Sequence, residues 1–317
     1  MTKKLFITGA TGFIGSHLCE MSVKKGFKVV GFDRYNSDND YWWLKNSKYL
    51  SDIDLILGDI RDYDSVYKSM KGCDKVFHLA ALIGIPYSYV SPLAYLKTNV
   101  EGTYNVLEAA KNLNVKNIII TSTSEVYGSA KYLPIDEEHP LNAQSPYAAS
   151  KVAADQLSLS YYRSFKLPIK IIRPFNTFGP RQSNRAVIPR IIIQCLNKKN
   201  TRLNLGNLKP TRDFNYVEDT CEAYFQVLNS KKIIGEIINV GSNTNISIEN
   251  IAKKIMVMTN RKLKFFSNKK ILRPKLSEVT DLQCDNQKIK KLSNWNSKVN
   301  LDNGLKKPFN GLKKIIQ

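Results

Sequence analysis

Residues 4–15, KLFITGATGFIG, restrict the possible folds of this chain more than any other segment. An apolar run at 4–10 reads as a buried strand, breaks at a glycine-rich turn, and re-forms as a helix over 14–26 that Gly26 closes. Gly9, Gly12 and Gly15 let the backbone turn tightly and approach an anion at the helix N-terminus. Turns use glycine anyway, so the triplet acquires meaning only from its surroundings: a strand before, a helix after, and a second strand over 28–33. The alternation then continues. Strands are predicted at 54–59, 75–81, 117–124 and 169–175, with helices at 64–72, about 92–111 and 147–165. Strands this continuously apolar must be covered on both faces, which predicts a doubly wound parallel α/β sheet.

The second half is less regular. Helices are expected at 185–199, with Pro189 near the start, at 217–230, and at 247–260 behind a Ser247–Asn250 capping pattern, with a lysine-rich amphipathic helix at the tail. A strand at 236–242 can rejoin the main sheet. No repeat or low-complexity linker separates the halves, so the lobes are expected to interleave: 1–175 plus about 214–241 as the dinucleotide-binding domain, about 176–213 plus 242–317 as a smaller α/β substrate lobe.

Composition narrows the function. The formal charge is +21, from 48 basic and 27 acidic residues. The lysines are dispersed, with only short clusters such as Lys269-Lys270 and Lys290-Lys291 and no basic stretch interleaved with aromatics. That argues against nucleic acid and for a basic surface that suits an anionic small substrate. No apolar run approaches the ~20 residues of a membrane span, and the start of the chain does not read as a signal peptide, so a cytoplasmic protein is expected. Cys19, Cys73, Cys195, Cys221 and Cys284 form no CxxC pair and lie apart from His17, His78 and His139; buried thiols and structural histidines are expected, and no metal.

Asp33 ends the second strand 18 residues after Gly15. A carboxylate there accepts from ribose hydroxyls and repels the extra phosphate of NADP, with Arg34 beside it as a counterweight; the expected cofactor is NAD. Asp59 and Ile60, in GDIRD (58–62), stand where an adenine would lie, although Asp59 also reads as a plain helix cap. Tyr147 and Lys151, in SPYAASK (145–151), share one helix face. A phenol titrates near ~10, and cations beside it would favour the phenolate, a base usable at neutral pH. Between these motifs the strand 117–124 ends in TSTSEVYG (121–128), which sets Thr123, Ser124 and Glu125 where the sheet stops.

TGATGFIG, HLAA, TSTSEVYG, YAASK and RPFNTFGPRQ together resemble the extended short-chain dehydrogenase/reductase family, over essentially the whole chain. The resemblance implies a Rossmann-type sheet and, within the family, the nucleotide-sugar 4,6-dehydratases. IGIPYSYVSP, RQSNRAVIP and KPTRDFNYVED are similar to the bacterial N-acetylglucosamine-nucleotide dehydratases of nonulosonic (legionaminic-type) acid synthesis. It implies that Thr123 and Tyr147 meet the sugar C4 oxygen, that Lys151 orients the cofactor ribose, and that Glu125 removes the C5 proton. Glucose-type dehydratases carry Asp where this chain has Ser124, so Glu125 is expected to serve as both base and acid. UDP-glucuronate decarboxylases share the Thr-Ser-Glu triplet, which leaves decarboxylation open, and a 4-epimerase needs no base at C5.

Further assignments come with the resemblance. Phe13, Ile14, Leu79, Ala80, Ala81, Asn99 and Ser122 join the cofactor site. Tyr87 and Ser88 line the sugar pocket, and Asn176 lies near the substrate diphosphate. Arg212 and Arg273 contact phosphate and ribose, with Arg185 and Val187 near the base. The alanines of the 147–165 helix, Ala148, Ala149, Ala153 and Ala154, allow close packing, and the family pairs two such helices per subunit into a four-helix homodimer interface.

Overall fold

The structure is a computed structural model and describes residues 3–268 and 272–316, so Lys269 and Lys270 lie outside the described residues. Strands β1 (Lys4–Thr8), β2 (Lys28–Arg34), β3 (Ile53–Gly58), β4 (Lys75–His78), β5 (Asn117–Thr121) and β6 (Ile169–Pro174) are all parallel. Helices α1 (Phe13–Lys24), α2 (Tyr63–Met70), α3 (Ile85–Val90), α4 (Pro92–Tyr95), α5 (Gly102–Asn112) and α6 (Pro146–Phe165) connect them. Beyond β6 come β7 (Asn176–Phe178), α7 (Val187–Leu196), β8 (Arg202–Leu205), β9 (Thr211–Arg212), β10 (Phe214–Tyr216), α8 (Val217–Asn229) and β11 (Ile237–Val240). The chain ends with β12 (Ile246–Ser247), α9 (Ile248–Met258), β13 (Lys264–Ser267), α10 (Gln287–Ser293) and α11 (Leu301–Ile316).

The main sheet has the order β11-β6-β5-β4-β1-β2-β3. The expected parallel sheet is therefore present, and β11 does rejoin it, pairing Ile237 with Ile171. Side-chain alternation explains why both faces need helices. Leu5, Ile7, Phe77, Ile119 and Ile172 point into one core with residues of α1, α7, α8 and α9. Phe6, Val76, Ile118, Ile120, Ile169 and Ile171 point into the other, against α2, α5 and α6. The order reverses between β1 and β4, and a crevice at the carboxyl ends of the strands is where such sheets bind ligands.

Three short pairings, β7 with β10, β9 with β12 and β8 with β13, build the part beyond the sheet. Ser247 caps α9 as expected, its Oγ accepting from the Asn250 amide at 3.1 Å. The helix expected over 92–111 is not uniform: Leu96–Glu101 forms a π turn between α4 and α5. The strands expected to reach 81 and 124 stop at His78 and Thr121, because the residues that follow turn toward the crevice. Among the described residues no helix is long and apolar enough to cross a membrane.

Candidate active site

At the turn after β1, Gly9 has φ +69, and a Cβ there would come within 3.0 Å of the Ala80 amide nitrogen. A Cβ on Gly15 would lie 2.0 Å from the Gly9 carbonyl oxygen, so only glycine lets α1 start this close to β1. Gly12 caps α1 with no side chain over the amides of the first turn, which carries Phe13 and Ile14. The cradle fits a pyrophosphate. Asp33 stands beside it, its Oδ2 accepting from the backbone amide and hydroxyl of Thr11, both at 2.7 Å, and its Oδ1 from the Arg34 amide. Thr11 escaped the sequence reading, and it fixes the rotamer of Asp33. Two donors fill Oδ2, so Oδ1 keeps the free lone pair for a ribose hydroxyl, one fewer acceptor than a diol contact at both oxygens requires. Arg34 is exposed at the rim.

The cap of α2 belongs to Asp62, whose carboxylate accepts from the Asp64 amide. Asp59 is instead gripped by Arg61, whose guanidinium holds the carboxyl below its usual range. Ile60 is buried and packs against Gly102.

A chain of buried hydrogen bonds continues from the turn. Thr103 donates its hydroxyl proton to the Asn99 carbonyl at 2.6 Å, so it can only accept from His78 Nε2 at 3.1 Å. His78 Nδ1 must then accept from Thr8 Oγ1 at 2.8 Å, which leaves the Thr8 oxygen to accept from the amides of Leu79 and Ala80. Burial pushes His78 down to about 3, so the ring stays neutral, as this chain of donors demands. Asn99 clamps Leu82 through both its carbonyl and its amide and also donates to Ser150 on α6. Asn99 thus acts on the 79–82 segment, with its polar atoms committed to protein, while Leu79, Ala80 and Ala81 remain half-buried at the crevice.

Beyond β5, Thr123 caps a 3-10 turn, Ser124–Tyr127, its Oγ1 accepting from the Glu125 amide at 3.2 Å. The turn folds Ser124 and Glu125 inward. Glu125 is only 9% exposed and pairs with Arg273 Nη1 at 3.4 Å across 148 residues of sequence. Opposite, Pro146 and the Ser145 cap start α6 and deliver Tyr147 and Lys151 to the same crevice. Lys151 Nζ donates to the Thr121 carbonyl at 2.5 Å. Burial lowers Lys151 to about 8, with Asp155 pulling it up.

Burial sets the resting state of Tyr147. It pushes the phenol up, the Glu125 and Asp155 carboxylates add to that, and the Thr123 hydroxyl opposes them, so without cofactor the phenol is neutral.

The substrate residues divide. Tyr87 is exposed near the crevice wall formed by Tyr95 and Tyr147, with ring centroids of Tyr87 and Tyr95 6.1 Å apart. Ser88 is a correction: it is fully buried and donates to the Ile85 carbonyl inside α3, so it presents nothing to a sugar. Arg212 is less accessible than expected: its guanidinium is buried and spends three of its five N–H donors on the carbonyls of Thr211, Val279 and Thr280. Ser122, too, has its hydroxyl committed, to Asp155. Asn176 keeps a buried Oδ1 without a hydrogen-bond partner among the described residues. Arg185 is exposed and Val187 half-buried at the start of α7.

The profile of the GDP-mannose 4,6 dehydratase family matches residues 6–308. The chain belongs to the extended short-chain dehydrogenase/reductase family. Its members among the relatives are nucleotide-sugar dehydratases, epimerases and decarboxylases. It is 33% identical to a UDP-N-acetyl-alpha-D-glucosaminuronate decarboxylase of Bacillus cytotoxicus, over 99% of both chains. A dTDP-D-glucose 4,6-dehydratase of Dictyostelium discoideum is 35% identical over 80% of this chain and 62% of its own length. The solved UDP-glucuronic acid 4-epimerase of Bacillus cereus, in complex with UDP-glucuronic acid and NAD, is 31% identical with TM-score 0.88, covering 98% of this chain and 99% of that one.

Proposed function

We propose that this family member is an NAD-dependent nucleotide-sugar 4,6-dehydratase that converts a UDP- or GDP-linked N-acetylglucosamine into a 4-keto-6-deoxy product. The observation that carries the reading is Glu125, a buried carboxylate whose charge acts on the Tyr147 phenol. The glycine turn and Asp33 would hold NAD, and Lys151 its nicotinamide ribose. Held there, NAD would supply the acceptor for a hydride from the sugar C4 and the donor that returns it at C6. Tyr147, aided by Thr123, receives the C4 hydroxyl proton as the ketone forms. The ketone acidifies C5, because the electrons left behind delocalise into the carbonyl. Glu125 removes the C5 proton and passes it, directly or through the Ser124 hydroxyl, to the C6 hydroxyl, which leaves as water; a proton from solvent, balancing the one released from the C4 hydroxyl, then reaches C5 through Glu125.

A second reading, decarboxylation of a uronic acid nucleotide, is favoured by Arg273 and by the decarboxylase relative. Charge weighs against it. Arg273 is already paired with Glu125, and Arg212 with Glu278 at 3.9 Å, so a substrate carboxylate beside Glu125 would add an unneutralised charge. A neutral C6 hydroxymethyl suits this wall better. Incubation with NAD and each of UDP-GlcNAc, GDP-GlcNAc and UDP-glucuronate, followed by product mass, tests the reading. Loss of water from an N-acetylglucosamine nucleotide is expected. Carbon dioxide released from UDP-glucuronate would replace it with decarboxylation, an isobaric product with 4-epimerisation, and no turnover at all with a dinucleotide-sensing binding protein.

A further inference from the structure

Beneath the candidate site lies an ion pair that the proposed chemistry does not use. Arg173 on β6 is 1% exposed and Asp155 on α6 is 0% exposed. Arg173 Nε and Nη2 both donate to Asp155 Oδ2, at 3.1 and 3.0 Å. The same oxygen accepts from Ser122 Oγ at 2.8 Å, and Asp155 Oδ1 is buried without a hydrogen-bond partner among the described residues. The third guanidinium nitrogen, Nη1, donates to the Tyr127 hydroxyl at 2.9 Å, and the group lies over the Tyr127 ring, 4.9 Å from its centroid. Tyr127 passes its own proton to Asn239 Oδ1 on β11 at 2.8 Å.

The placement of these partners matters more than their number. Ser122 and Tyr127 stand at either end of the segment that carries Thr123, Ser124 and Glu125. Asp155 follows Lys151 by four residues and Tyr147 by eight, on one face of α6. One guanidinium–carboxylate unit therefore ties both ends of the turn to the helix opposite. Burying two charges is costly, and an apolar pair of the same size would commonly hold a core as well. Reacting groups, however, must be held to a fraction of an ångström, and a buried guanidinium bonded through two nitrogens to Asp155 and through the third to Tyr127 is held at three points. We propose that Arg173 and Asp155 are positioning residues that set the Thr123–Glu125 segment against Tyr147 and Lys151. This rests on the dehydratase reading for its chemical consequence, not for its geometry.

Asp155 has a second effect. It is the charge that favours the Lys151 ammonium against burial. The other groups around it are His78 on β4, which burial keeps neutral, and Arg173 on β6, which faces Asp155.

The test uses the full chain with NAD and three variants. Tyr127→Phe removes one hydroxyl from the tie, Arg173→Lys keeps the charge without the fork, and Asp155→Asn removes the carboxylate charge. For Tyr127→Phe and Arg173→Lys, kcat for sugar-nucleotide turnover should fall about tenfold or more while KM stays within about twofold, since misplacement and not binding is at fault. Hydrogen exchange of the amides over 122–128 should quicken in both. In Asp155→Asn the Lys151 titration, followed by NMR of labelled lysine, should move to lower pH. Unchanged kcat and exchange in Tyr127→Phe would overturn the proposal even if the two charge variants fail to fold. If the wild type turns over no sugar nucleotide, the dehydratase reading falls, while exchange and titration still decide whether the brace exists.

Discussion

Glu125→Gln separates the two halves of the proposed reaction. The amide nearly matches the carboxylate in size but cannot take the C5 proton. Water loss should fall by at least about 100-fold, the usual worth of a general base. NAD affinity, read by fluorescence titration, should stay the same, because Glu125 follows β5, two strands away from β1 and its glycine turn. Dehydration at the wild-type rate would remove Glu125 from the mechanism. The phenol of Tyr147 poses the complementary problem. Burial and the Glu125 and Asp155 charges favour the neutral form, so the phenolate that is to receive the C4 proton needs a cation close by. Lys151 is the protein's own candidate, and it remains an ammonium only below about pH 8.

At the scale of elements, Lys170 shows a side chain joining two of them at a measurable cost. It sits inside β6, fully buried, and donates to the carbonyls of Val227 and Leu228 at the end of α8, both at 2.8 Å. The C-terminal end of a helix attracts a cation, yet burial still lowers Lys170 from 10.5 to about 8. The folded pKa is thus below the unfolded one. The penalty is fully present below pH 8 and fades as pH rises toward 10.5, because the unfolded chain binds the extra proton in that window. Relative to Lys170→Met, the wild-type protein should therefore gain stability between these values, as denaturant titrations at a series of pH values would show. A difference that is flat with pH would mean that Lys170 titrates alike in the folded and the unfolded chain, so that burial does not lower it. Lys170 also shows where sequence reading stops. Gly9, Gly15, Tyr147 and Lys151 were legible because their meaning lies in local spacing, as was the strand–helix alternation that builds the sheet. Ser88 was misassigned because a sequence gives the donor and not the carbonyl that folds against it. The Arg173–Asp155 brace and the π turn at Leu96–Glu101 left no local signal, since one depends on packing across the sheet and the other on a single extra residue in a helix.

At the scale of the whole molecule, one surface is too apolar for its position. Leu93 on α4 is 61% exposed, Leu96 48% and Tyr104 on α5 45%, while the adjoining α6 shows the small residues Ala149 and Ala153 and the uncharged Gln156 to solvent. α5 and α6 pack side by side, so these residues form one continuous helical face. We infer that a second copy of the chain covers it as a four-helix contact, the alanines letting the backbones approach. Charge opposes this association. Each copy carries +21, and two such bodies repel at long range until salt screens them, with a Debye length of ~30 Å at 0.01 M falling to ~10 Å at 0.1 M. Apolar contact weakens little over that range, so the two contributions separate experimentally. Light scattering on the eluted protein should give about twice 36.1 kDa at moderate salt, with dissociation growing as salt is removed. Ala153→Arg puts a long cation where the helices would meet, and should leave a folded monomer at every salt concentration. A wild type that is monomeric at moderate salt, or a variant that dimerises as well as the wild type, would mean that this face meets something other than its own copy.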